Sequence, residues 1–574
     1  MTAGAHPSVA PPRPGAHPDT DGSDMAVDTP GSDPSATPPS VTSSSTATPS
    51  WAIDRGDTAL GIELGSTRIK ACLVGPRGTV LATGSHDWEN ALVDGTWTYA
   101  VDAVWAGLRA CVASLLDDAE RRHGLRPTTV GALGVSAMMH GYVALDGDGE
   151  LLVPFRTWRN TSTGRAASEL TELFGQNIPL RWSIAHLYQA ILDDEPHVPQ
   201  VRTLTTLAGY VHRRLTGRDV LGVGDASGVV PIDPATRDYD ARLLARFDEH
   251  VAARRPGFRL RDLLPEVLVA GTGAGTLTAE GAALLDPSGT LQAGVPLCPP
   301  EGDAGTGMVA TDAVAPRTGN VSVGTSIFAM VVLERPLERV HHELDLVTTP
   351  AGDPVAMVHC NNGASELGAW AEVFGRFAAA LGHPTDPDAV FGTLLREALD
   401  GEADGGGLLA YNYLAGEPIT GLDQGRPLVV RTPGSRLTLA NLVRAQVLGA
   451  FATLSLGMRV LEEEGVEVDT LFAHGGLFRT AGVAQRLLAA AVRAPVGVSR
   501  TASEGGPWGM ALLASYLCAA SEQDLGTYLR TAVFAEASVD VVEPDRGDVE
   551  GFATFRERFV AGLPIERAAA AIDL

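Results

Sequence analysis

Apolar positions in the first part of the chain form short runs that glycine-containing turns interrupt, a pattern typical of buried strands. The run TALGIEL, the turn GST and the run RIKACLVG predict a β-hairpin. Apolar residues then recur at helical spacing from Asp102 to His123, and Gly124 suits the end of a helix. The predicted elements are strands over 58–64, 68–75, 79–85 and 129–138 and a helix over 102–123. Strands that alternate with helices in this way indicate an α/β fold.

A second hairpin of the same design lies about half a chain further on. The segment Gly319–Leu333 repeats the strand–turn–strand layout of Leu60–Val74, with the turn GTS in place of GST. A long helix is predicted over Leu437–Glu464, and glycine turns within LFAHGGLF and SEGGPWGMALLASYL lead into further helices. We therefore expect two related domains, 56–314 and 315–574, with their boundary in the loop between Thr311 and Gly319.

The first 55 residues have a different composition from the rest. Proline, serine, threonine, alanine and glycine dominate them, and Arg13 is the one basic side chain before residue 51. Such a segment has too little apolar area to offset the entropy that ordering the chain costs. We expect residues 1–55 to form a disordered tail that is neither a secretory signal nor an arginine-rich transit peptide.

The net charge and the cysteine pattern exclude several classes of function. Lys and Arg total 43 against 69 Asp and Glu, a net charge of −26, which argues against a nucleic-acid-binding surface. The five cysteines include no CxxC pair, so neither a zinc site nor a disulfide framework is indicated. The uncharged stretch Pro127–Leu145 contains turn residues and predicts strand, turn and strand rather than a membrane helix. A cytoplasmic protein with neither nucleic acid nor a membrane as partner is expected.

Both glycine–hydroxyl turns are candidates for binding phosphate. Glycine allows close approach to the backbone, successive N–H groups form a concavity for anions, and Ser or Thr adds donors. One such turn alone is more often an ordinary hairpin turn. The symmetric pair, Gly65–Thr67 and Gly324–Ser326, favours phosphate, although the Walker motif GxxxxGK[ST] is absent.

Two further segments carry candidate chemistry. In PPEGDAGTGMVA, Asp303 stands in a glycine-flanked turn that leads into a helix. It is either a helix N-cap or a carboxylate that accepts a hydroxyl proton during phosphoryl transfer. In VSAMMHGYVAL, Met139 and His140 end a strand, and the histidine is either a hydrogen-bonded structural residue or a ligand contact.

These motifs together resemble a known family. In order along the chain, GIELGSTRIKA, MMHGYVALDGDGE, GDASG, EGDAGTGM, GNVSVGTS, AHGG and SEGGPWGMALLASY are similar to motifs of the FGGY carbohydrate kinases. The resemblance runs from about Asp57 to Phe559, and the MHG element is most similar to the xylulokinase branch. It implies two actin-like (ribonuclease-H-like) domains with ATP and Mg²⁺ in the cleft between them.

The resemblance also implies roles for individual residues. Asp303 matches the catalytic base, Met139 and His140 match sugar contacts, and Trp158 and Arg159 lie in another stretch near the sugar. The expected ATP-binding residues are Gly65, Ser66, Thr67, Gly324, Thr325, Ser326, Gly475 and Gly476.

The chain departs from the family pattern at several positions. Glu63 replaces the usual Asp at the end of the first strand, where the carboxylate helps to place Mg²⁺ through water. The alternative is that Glu63 forms an ion pair with Arg68 or Lys70. The adenosine-side turn reads His474-Gly475-Gly476 instead of three glycines, and Asn160 stands where an Asp is common.

The resemblance implies ATP-dependent phosphorylation of a sugar hydroxyl, with a ketopentose such as xylulose or ribulose as the acceptor. ATP and Mg²⁺ are the expected cofactors, and a homodimer is compatible with this interpretation. Two alternatives stay open: a catalytically weak sugar-binding pseudokinase or regulator, and an actin-like ATPase without a sugar substrate. Sugar-dependent ADP release distinguishes the kinase from both.

Overall fold

The computed structural model describes residues 48–499 and 505–572. The strands are β1 (Ala59–Leu64), β2 (Arg68–Val74), β3 (Val80–Asp87), β4 (Ala91–Val93), β5 (Thr96–Thr98), β6 (Ala132–Ala137), β7 (Val143–Leu145), β8 (Thr203–Thr205), β9 (Val220–Gly222), β10 (Ile232–Asp233), β11 (Asp238–Tyr239), β12 (Glu266–Leu268), β13 (Glu301–Gly302), β14 (Thr318–Val323), β15 (Ile327–Val332), β16 (Leu344–Thr348), β17 (Pro354–Cys360), β18 (Leu409–Tyr411), β19 (Leu428–Val430), β20 (Thr470–Gly475), β21 (Val496–Ser499) and β22 (Val539–Val542).

The α-helices are α1 (Pro49–Arg55), α2 (Val101–His123), α3 (Gly164–Phe174), α4 (Ser183–Leu192), α5 (Leu207–Thr216), α6 (Val223–Ala226), α7 (Ala241–Val251), α8 (Ala279–Leu285), α9 (Asp303–Val309), α10 (Ser365–Ala380), α11 (Pro387–Glu397), α12 (Leu439–Glu463), α13 (Val483–Val492), α14 (Gly506–Tyr516), α15 (Leu525–Tyr528) and α16 (Arg546–Ala570). These elements confirm the predicted α/β class, both predicted hairpins and the helix predicted over 102–123.

The predicted tail requires a correction at its end. Residues 1–47 lie outside the described residues, but residues 49–55, which were assigned to the tail, form α1. Thr48 caps this helix by accepting a hydrogen bond from the Trp51 N–H, and Ala52 and Ile53 are buried. Gly56 ends it in the left-handed region at φ 70°. Two buried apolar side chains and two caps stabilise a segment that composition alone assigned to the tail.

The first large sheet contains five strands in the order β13-β6-β1-β2-β3. The hairpin β1–β2 and the pair β2–β3 are antiparallel, whereas β6 runs parallel to β1 and to β13. Helix α2 covers this sheet with Val104, Leu108 and Val112, which lie in a buried cluster with side chains of β1 and β2. The three parallel strands β1, β6 and β13 therefore end at the same edge of the sheet.

The second large sheet repeats this arrangement. Its order is β16-β17-β15-β14-β20-β21-β22, in which β14–β15 is the antiparallel hairpin and β20 and β21 follow in parallel. The series β17-β15-β14-β20-β21 thus matches β3-β2-β1-β6-β13 in order and direction. This internal repeat confirms the fold expected from the two similar hairpins.

One helix from the second half of the chain packs on the first sheet. A Cβ at Gly61 of β1 would lie 2.1 Å from the carbonyl oxygen of Pro507 and 2.3 Å from the nitrogen of Ala511, both in α14. A Cβ at Gly509 of the same helix would lie 2.0 Å from the carbonyl oxygen of Thr306 in α9. Glycine at Gly61 lets the backbones of β1 and α14 touch, and glycine at Gly509 does the same for the helices α14 and α9. The predicted division at residue 315 separates the two sheets along the chain, but the core of the first half includes α14.

Helix α12 is the one described helix that is long and apolar enough to cross a membrane. Most of its apolar stretch is buried, because Val447, Leu448 and Phe451 lie in the core of the second half. Its Thr438 N-cap accepts a hydrogen bond from the Asn441 N–H. The helix matches the one predicted over Leu437–Glu464 to within two residues at each end.

We expect Gly61→Ala to destabilise the fold because its methyl group would overlap backbone atoms of α14. Overpacking of this kind costs about 1–3 kcal/mol or more, which thermal unfolding monitored by circular dichroism measures as a lower Tm. Gly368→Ala in α10 is the matched control, because nothing lies within 4 Å of the added carbon. A Tm of Gly61→Ala equal to that of the control would contradict the close packing.

Candidate active site

The ends of three parallel strands bring four predicted site residues to one edge of the first sheet. Glu63 pairs in register with Ser136, and Ser136 with Glu301. The chain therefore leaves β1 just after Glu63, leaves β6 just before Met139 and His140, and leaves β13 at Asp303. Residues that are more than 70 positions apart in the sequence meet here because the strands are parallel and in register.

Asp303 is the first residue of α9, and its carboxylate is bonded to a different element. Its Oδ1 accepts a hydrogen bond of 2.9 Å from the Met139 N–H, while the N-cap position is taken by Gly302. The N-cap interpretation of Asp303 is therefore wrong. Burial raises the pKa of this carboxyl, and hydrogen bonds from the N–H groups of Met139 and Ala304 oppose the rise. A desolvated carboxylate held by the backbone of the predicted sugar-binding segment can accept a proton.

Glu63 lies against the start of α14, and its carboxylate is near enough to Asp303 to feel its charge. A Cβ at Gly506 would lie 2.6 Å from its Cδ and Oε1, so the carboxylate faces the first turn of that helix. Burial, with the nearby charge of Asp303 as the second cause, raises the pKa of Glu63 to about 7. The alternative of an ion pair is not realised within the described part of the chain, because Arg68 binds Asp87 at 2.5 Å and Lys70 forms no salt bridge.

These carboxylates fit a hydrated divalent cation. Among the residues that the structure describes, no group of three or more His, Cys, Asp or Glu is arranged to hold a metal ion. Mg²⁺ needs no such group, because it keeps several waters and binds through one or two carboxylates together with substrate phosphates. The repulsion between Glu63 and Asp303 is the electrostatic feature that a cation would relieve.

The sequence analysis missed two buried carboxylates beside Asp303. Glu301 accepts hydrogen bonds from the N–H groups of Gly224 (3.4 Å) and Asp225 (3.0 Å), and the Thr206 hydroxyl donates to Asp225 at 2.5 Å. Burial, with mutual repulsion as a further cause for Glu301, raises the pKa of Glu301 to about 8 and that of Asp225 to about 7. The EGD and GDASG motifs contain both residues, but only the fold shows that they are neighbours.

His140 is buried and has a backbone conformation that is uncommon for a residue other than glycine. It is 4% exposed, its φ is 71°, and a Cβ at Gly228 would lie 2.6 Å from its Nδ1. The ring stacks on Trp182 with centroids 6.1 Å apart and lies against Gly228. Burial lowers the pKa of His140 well below its usual value, so the ring is neutral. The positive φ of His140 is backbone strain of the kind found at functional sites, and its contact with a sugar stays a prediction.

The loop Thr157–Asn160, which contains Trp158 and Arg159, lies next to the Met139–Gly141 segment. The neighbouring Arg156 exchanges two backbone hydrogen bonds with Tyr142, which places the loop beside Gly141. The Trp158 side chain is 37% exposed. The Arg159 guanidinium instead covers the ring of Trp97 and donates to Asn90, so the two predicted sugar contacts face different surroundings. Their contact with a sugar stays a prediction.

The first glycine–hydroxyl turn is held from one side. The carbonyls of Gly65 and Ser66 accept hydrogen bonds from the Trp88 indole (2.7 Å) and the Tyr99 hydroxyl (2.6 Å), and the Thr67 carbonyl accepts from the Trp88 N–H (3.1 Å). The N–H groups of Ser66 and Thr67 have no acceptor in the described part of the chain. The turn thus presents two free donors, which is what an anion site needs.

The second turn repeats this pattern with different supports. The carbonyls of Gly324 and Thr325 accept hydrogen bonds from the N–H groups of Ala364 (2.8 Å) and Gly363 (2.7 Å). The N–H groups of Thr325 and Ser326 again have no acceptor among the residues that the structure describes.

The predicted adenosine-side turn lies beside the second glycine–hydroxyl turn. Gly475 pairs in register with Val323, the residue just before Gly324. Its φ is 115°, and a Cβ there would lie 2.1 Å from the Val323 carbonyl oxygen, so a side chain is excluded. A Cβ at Gly476 would meet nothing within 4 Å. The structure therefore brings Gly475 and Gly476 to the second turn, as the pair of parallel strands requires.

Two family descriptions match most of the chain. "FGGY family of carbohydrate kinases, N-terminal domain" matches residues 58–309, and "FGGY family of carbohydrate kinases, C-terminal domain" matches residues 319–518. The gap between the two matches contains the predicted domain boundary.

Curated relatives and solved structures agree with these matches. A xylulose kinase of Escherichia coli (strain K12) is 25% identical over 296 residues, 49% of this chain and 56% of the relative. An autoinducer-2 kinase of Klebsiella pneumoniae is 25% identical over 309 residues, 51% of this chain and 53% of the relative. The chain thus aligns with about half the length of these relatives. A solved xylulose kinase from Rhodospirillum rubrum has a TM-score of 0.70 at 21% identity and covers 88% of this chain and 98% of its own, which shows a shared fold.

The buried pair of Asp225 and Glu301 predicts a pH dependence of stability. Because both pKa values are raised in the folded protein, the folded state binds protons more tightly, and the contribution of the pair to the unfolding free energy falls as pH rises from about 4 towards 8. Glu301→Gln removes one of the two charges while its amide oxygen still accepts from the Asp225 N–H. We expect the Tm of this variant to fall less than that of wild type between pH 5 and pH 8.

Exposed Glu280 in the first turn of α8 provides the control, and Glu280→Gln should leave the shape of the Tm profile unchanged. Differential scanning calorimetry across the pH range measures all three proteins. Parallel profiles for wild type and Glu301→Gln would contradict the raised pKa values.

Proposed function

Because the chain belongs to the FGGY family of carbohydrate kinases, we propose that it transfers the γ-phosphoryl group of ATP to a hydroxyl of a sugar. The acceptor we propose is a ketopentose such as xylulose or ribulose. The observation that best supports the proposal is the pair of glycine–hydroxyl turns that follow β1 and β14. In each turn, neighbouring segments bind the carbonyls and two successive N–H groups keep no acceptor among the described residues.

The proposed reaction uses these groups to position and stabilise rather than to form covalent bonds. The N–H groups of Ser66, Thr67, Thr325 and Ser326 donate hydrogen bonds to the β- and γ-phosphate oxygens. Asp303 accepts the proton of the sugar hydroxyl as the hydroxyl oxygen attacks the γ-phosphorus, and the bond from that phosphorus to the oxygen bridging the β- and γ-phosphates breaks to release ADP. Gly475 and Gly476 leave room for the adenosine beside the second turn.

Mg²⁺, when bound, would neutralise charge on the β- and γ-phosphates. Glu63 would hold it through water at the end of β1, where the carboxylate already lies close to Asp303 and to Gly506. The longer side chain of Glu63 places its carboxylate against the start of α14, so the helix backbone limits how far it can move.

On the sugar side, we propose that Met139 and His140 contact the substrate and that Trp158 and Arg159 border the same space. The buried Oδ1 of Asp225 has no hydrogen-bond partner among the described residues and can accept from a hydroxyl of a polyhydroxy compound. A ketopentose acceptor agrees with the name of the xylulose kinases among the relatives. Another relative is named autoinducer-2 kinase, so the relatives do not all share one named acceptor.

A coupled assay of ADP release over a panel of ketoses, polyols and aldoses tests the proposal. We expect ADP release to depend on one or a few members of the panel, with ketopentoses giving the highest kcat/KM. Rapid ATP turnover that no sugar changes would support an actin-like ATPase instead. Binding of a sugar without ADP release would support a pseudokinase.

Removal of the proposed base should slow catalysis without disturbing the fold. Asp303→Asn keeps the size of the side chain, and its amide oxygen can still accept from the Met139 N–H. We expect kcat for the best sugar to fall by roughly 10²–10⁴-fold, the range typical of losing a general base, with an unchanged Tm. Asp388→Asn, an exposed position in the first turn of α11, is the matched control. A kcat of Asp303→Asn within a few-fold of this control would remove the proposed role.

A further inference from the structure

One short segment of chain donates hydrogen bonds to the carbonyls of the first glycine–hydroxyl turn, Gly65–Thr67, which is called the first phosphate turn below. Trp88 and Tyr99, which flank the β4–β5 hairpin, donate all three hydrogen bonds that the turn carbonyls accept. Their rings stack on each other with centroids 4.1 Å apart, and both side chains are buried. The direction of the free N–H groups in the turn is thus set by the position of the segment Trp88–Tyr99.

The same segment is bonded to the loop Thr157–Asn160 through three residues of the loop. The Thr157 N–H donates to the Trp97 carbonyl at 3.1 Å. Arg159 donates a hydrogen bond of 3.0 Å to the side-chain Oδ1 of Asn90, and its guanidinium carbon lies 3.9 Å from the centre of the Trp97 ring. The Asn160 amide exchanges hydrogen bonds of 2.9 Å with the N–H and carbonyl of Trp97. Movement of the loop therefore displaces the segment.

Asn90 completes the connection to the phosphate turn. Its side-chain N–H donates to the Tyr99 hydroxyl at 3.4 Å, and that hydroxyl donates to the Ser66 carbonyl at 2.6 Å. A continuous series of contacts thus runs from Arg159 through Asn90 and Tyr99 to Ser66. Arginine is suited to its end of the series because its planar guanidinium stacks on a ring and donates at the same time, which lysine does not do.

The loop at the far end borders the segment proposed to contact the sugar. Its neighbour Arg156 pairs with Tyr142, and the Gly141 N–H donates to the Arg181 carbonyl. A ligand that contacts His140 and the loop together would hold both in one position. The contacts above would then transmit that position to the phosphate turn.

We propose that Tyr99 and Arg159 are positioning residues that couple the sugar side of the site to the first phosphate turn. Tyr99 orients the turn, and Arg159 ties the turn to the loop through Asn90. A bound sugar then favours the turn geometry that binds ATP, so sugar tightens ATP binding. This inference rests on the proposed sugar kinase function only in its sugar-dependent part, because the effect of Tyr99 on ATP binding does not need a sugar.

Three variants separate the parts of the connection. Tyr99→Phe removes the hydroxyl and keeps the ring stack, so it should raise the Kd for a non-hydrolysable ATP analogue by about 3- to 10-fold without sugar, as expected for one lost hydrogen bond. Asn90→Ala and Arg159→Lys leave the Tyr99–Ser66 bond in place. They should leave that Kd within two-fold of wild type but reduce the tightening that saturating sugar produces in wild type, because only the hydrogen bonds of Thr157 and Asn160 with Trp97 then connect the loop to the segment.

The buried hydroxyl of Tyr528, which donates to Ser515 at 3.0 Å, is the matched control. Tyr528→Phe should lower Tm as much as Tyr99→Phe does and leave the ATP-analogue Kd unchanged. The double variant Tyr99→Phe/Arg159→Lys should show no further loss of sugar-dependent tightening beyond Arg159→Lys alone, because both lie on one path.

Isothermal titration calorimetry with the analogue, alone and with saturating sugar, provides the measurements. A wild-type Kd in Tyr99→Phe would overturn the role of Tyr99, whether or not any sugar is phosphorylated. Unchanged sugar-dependent tightening in both Asn90→Ala and Arg159→Lys would overturn the coupling. If no sugar of the panel binds the wild-type protein or stimulates its release of ADP, the proposed function fails. The titration without sugar still decides the role of Tyr99 in that case.

Discussion

In the first sheet, parallel pairing of β6 with β1 on one side and β13 on the other holds Glu63, Ser136 and Glu301 in one register. This pairing decides which residues follow the strand ends, and those residues carry the candidate chemistry. If β6 moved by one position, Met139 would no longer present its N–H to Asp303, and alternate side chains would exchange faces. The site therefore depends on backbone register before it depends on any side chain.

Several carboxylates lie close together at this edge. Burial is the main cause that raises the pKa of Glu63, Asp225 and Glu301, and the charge of Asp303 adds to the first two and that of Asp225 to the third. Backbone N–H groups moderate the repulsion, as at Asp303 and Glu301, but no arginine or lysine forms a salt bridge with these four among the residues described. Such a site is complementary to positive charge and to hydroxyl protons, which are what a phosphoryl transfer brings.

The two glycine–hydroxyl turns have the same arrangement of bound carbonyls but different supports. Two aromatic side chains hold the first turn through its carbonyls, whereas the backbone of Gly363 and Ala364 holds the second. A Cβ at Gly363 would lie 2.4 Å from the Gly324 carbonyl oxygen, so the second support allows little movement. The first turn depends on side chains of a separate hairpin, and it is accordingly the turn that a neighbouring loop can adjust.

The sequence alone determined the elements, because hydrophobic period and turn residues are local. Both hairpins, helix α12 and the two glycine–hydroxyl turns were predicted from short stretches, and the order of motifs indicated the family. Phosphate binding at the turns and the role of Asp303 stay predictions. The predicted end of the N-terminal tail at residue 55 was wrong. Ala52 and Ile53 are buried against other parts of the chain, which the composition of the segment does not reveal.

Only the tertiary structure decided which distant segments meet. It paired Glu301 with Asp225, turned Arg159 towards Trp97 and Asn90, and placed α14 on the first sheet through Gly61. No hydrophobic periodicity in the sequence predicts these contacts, because each joins residues that are far apart along the chain. Strand register and backbone contact at glycine fix such pairs, and both arise only when the whole chain is packed.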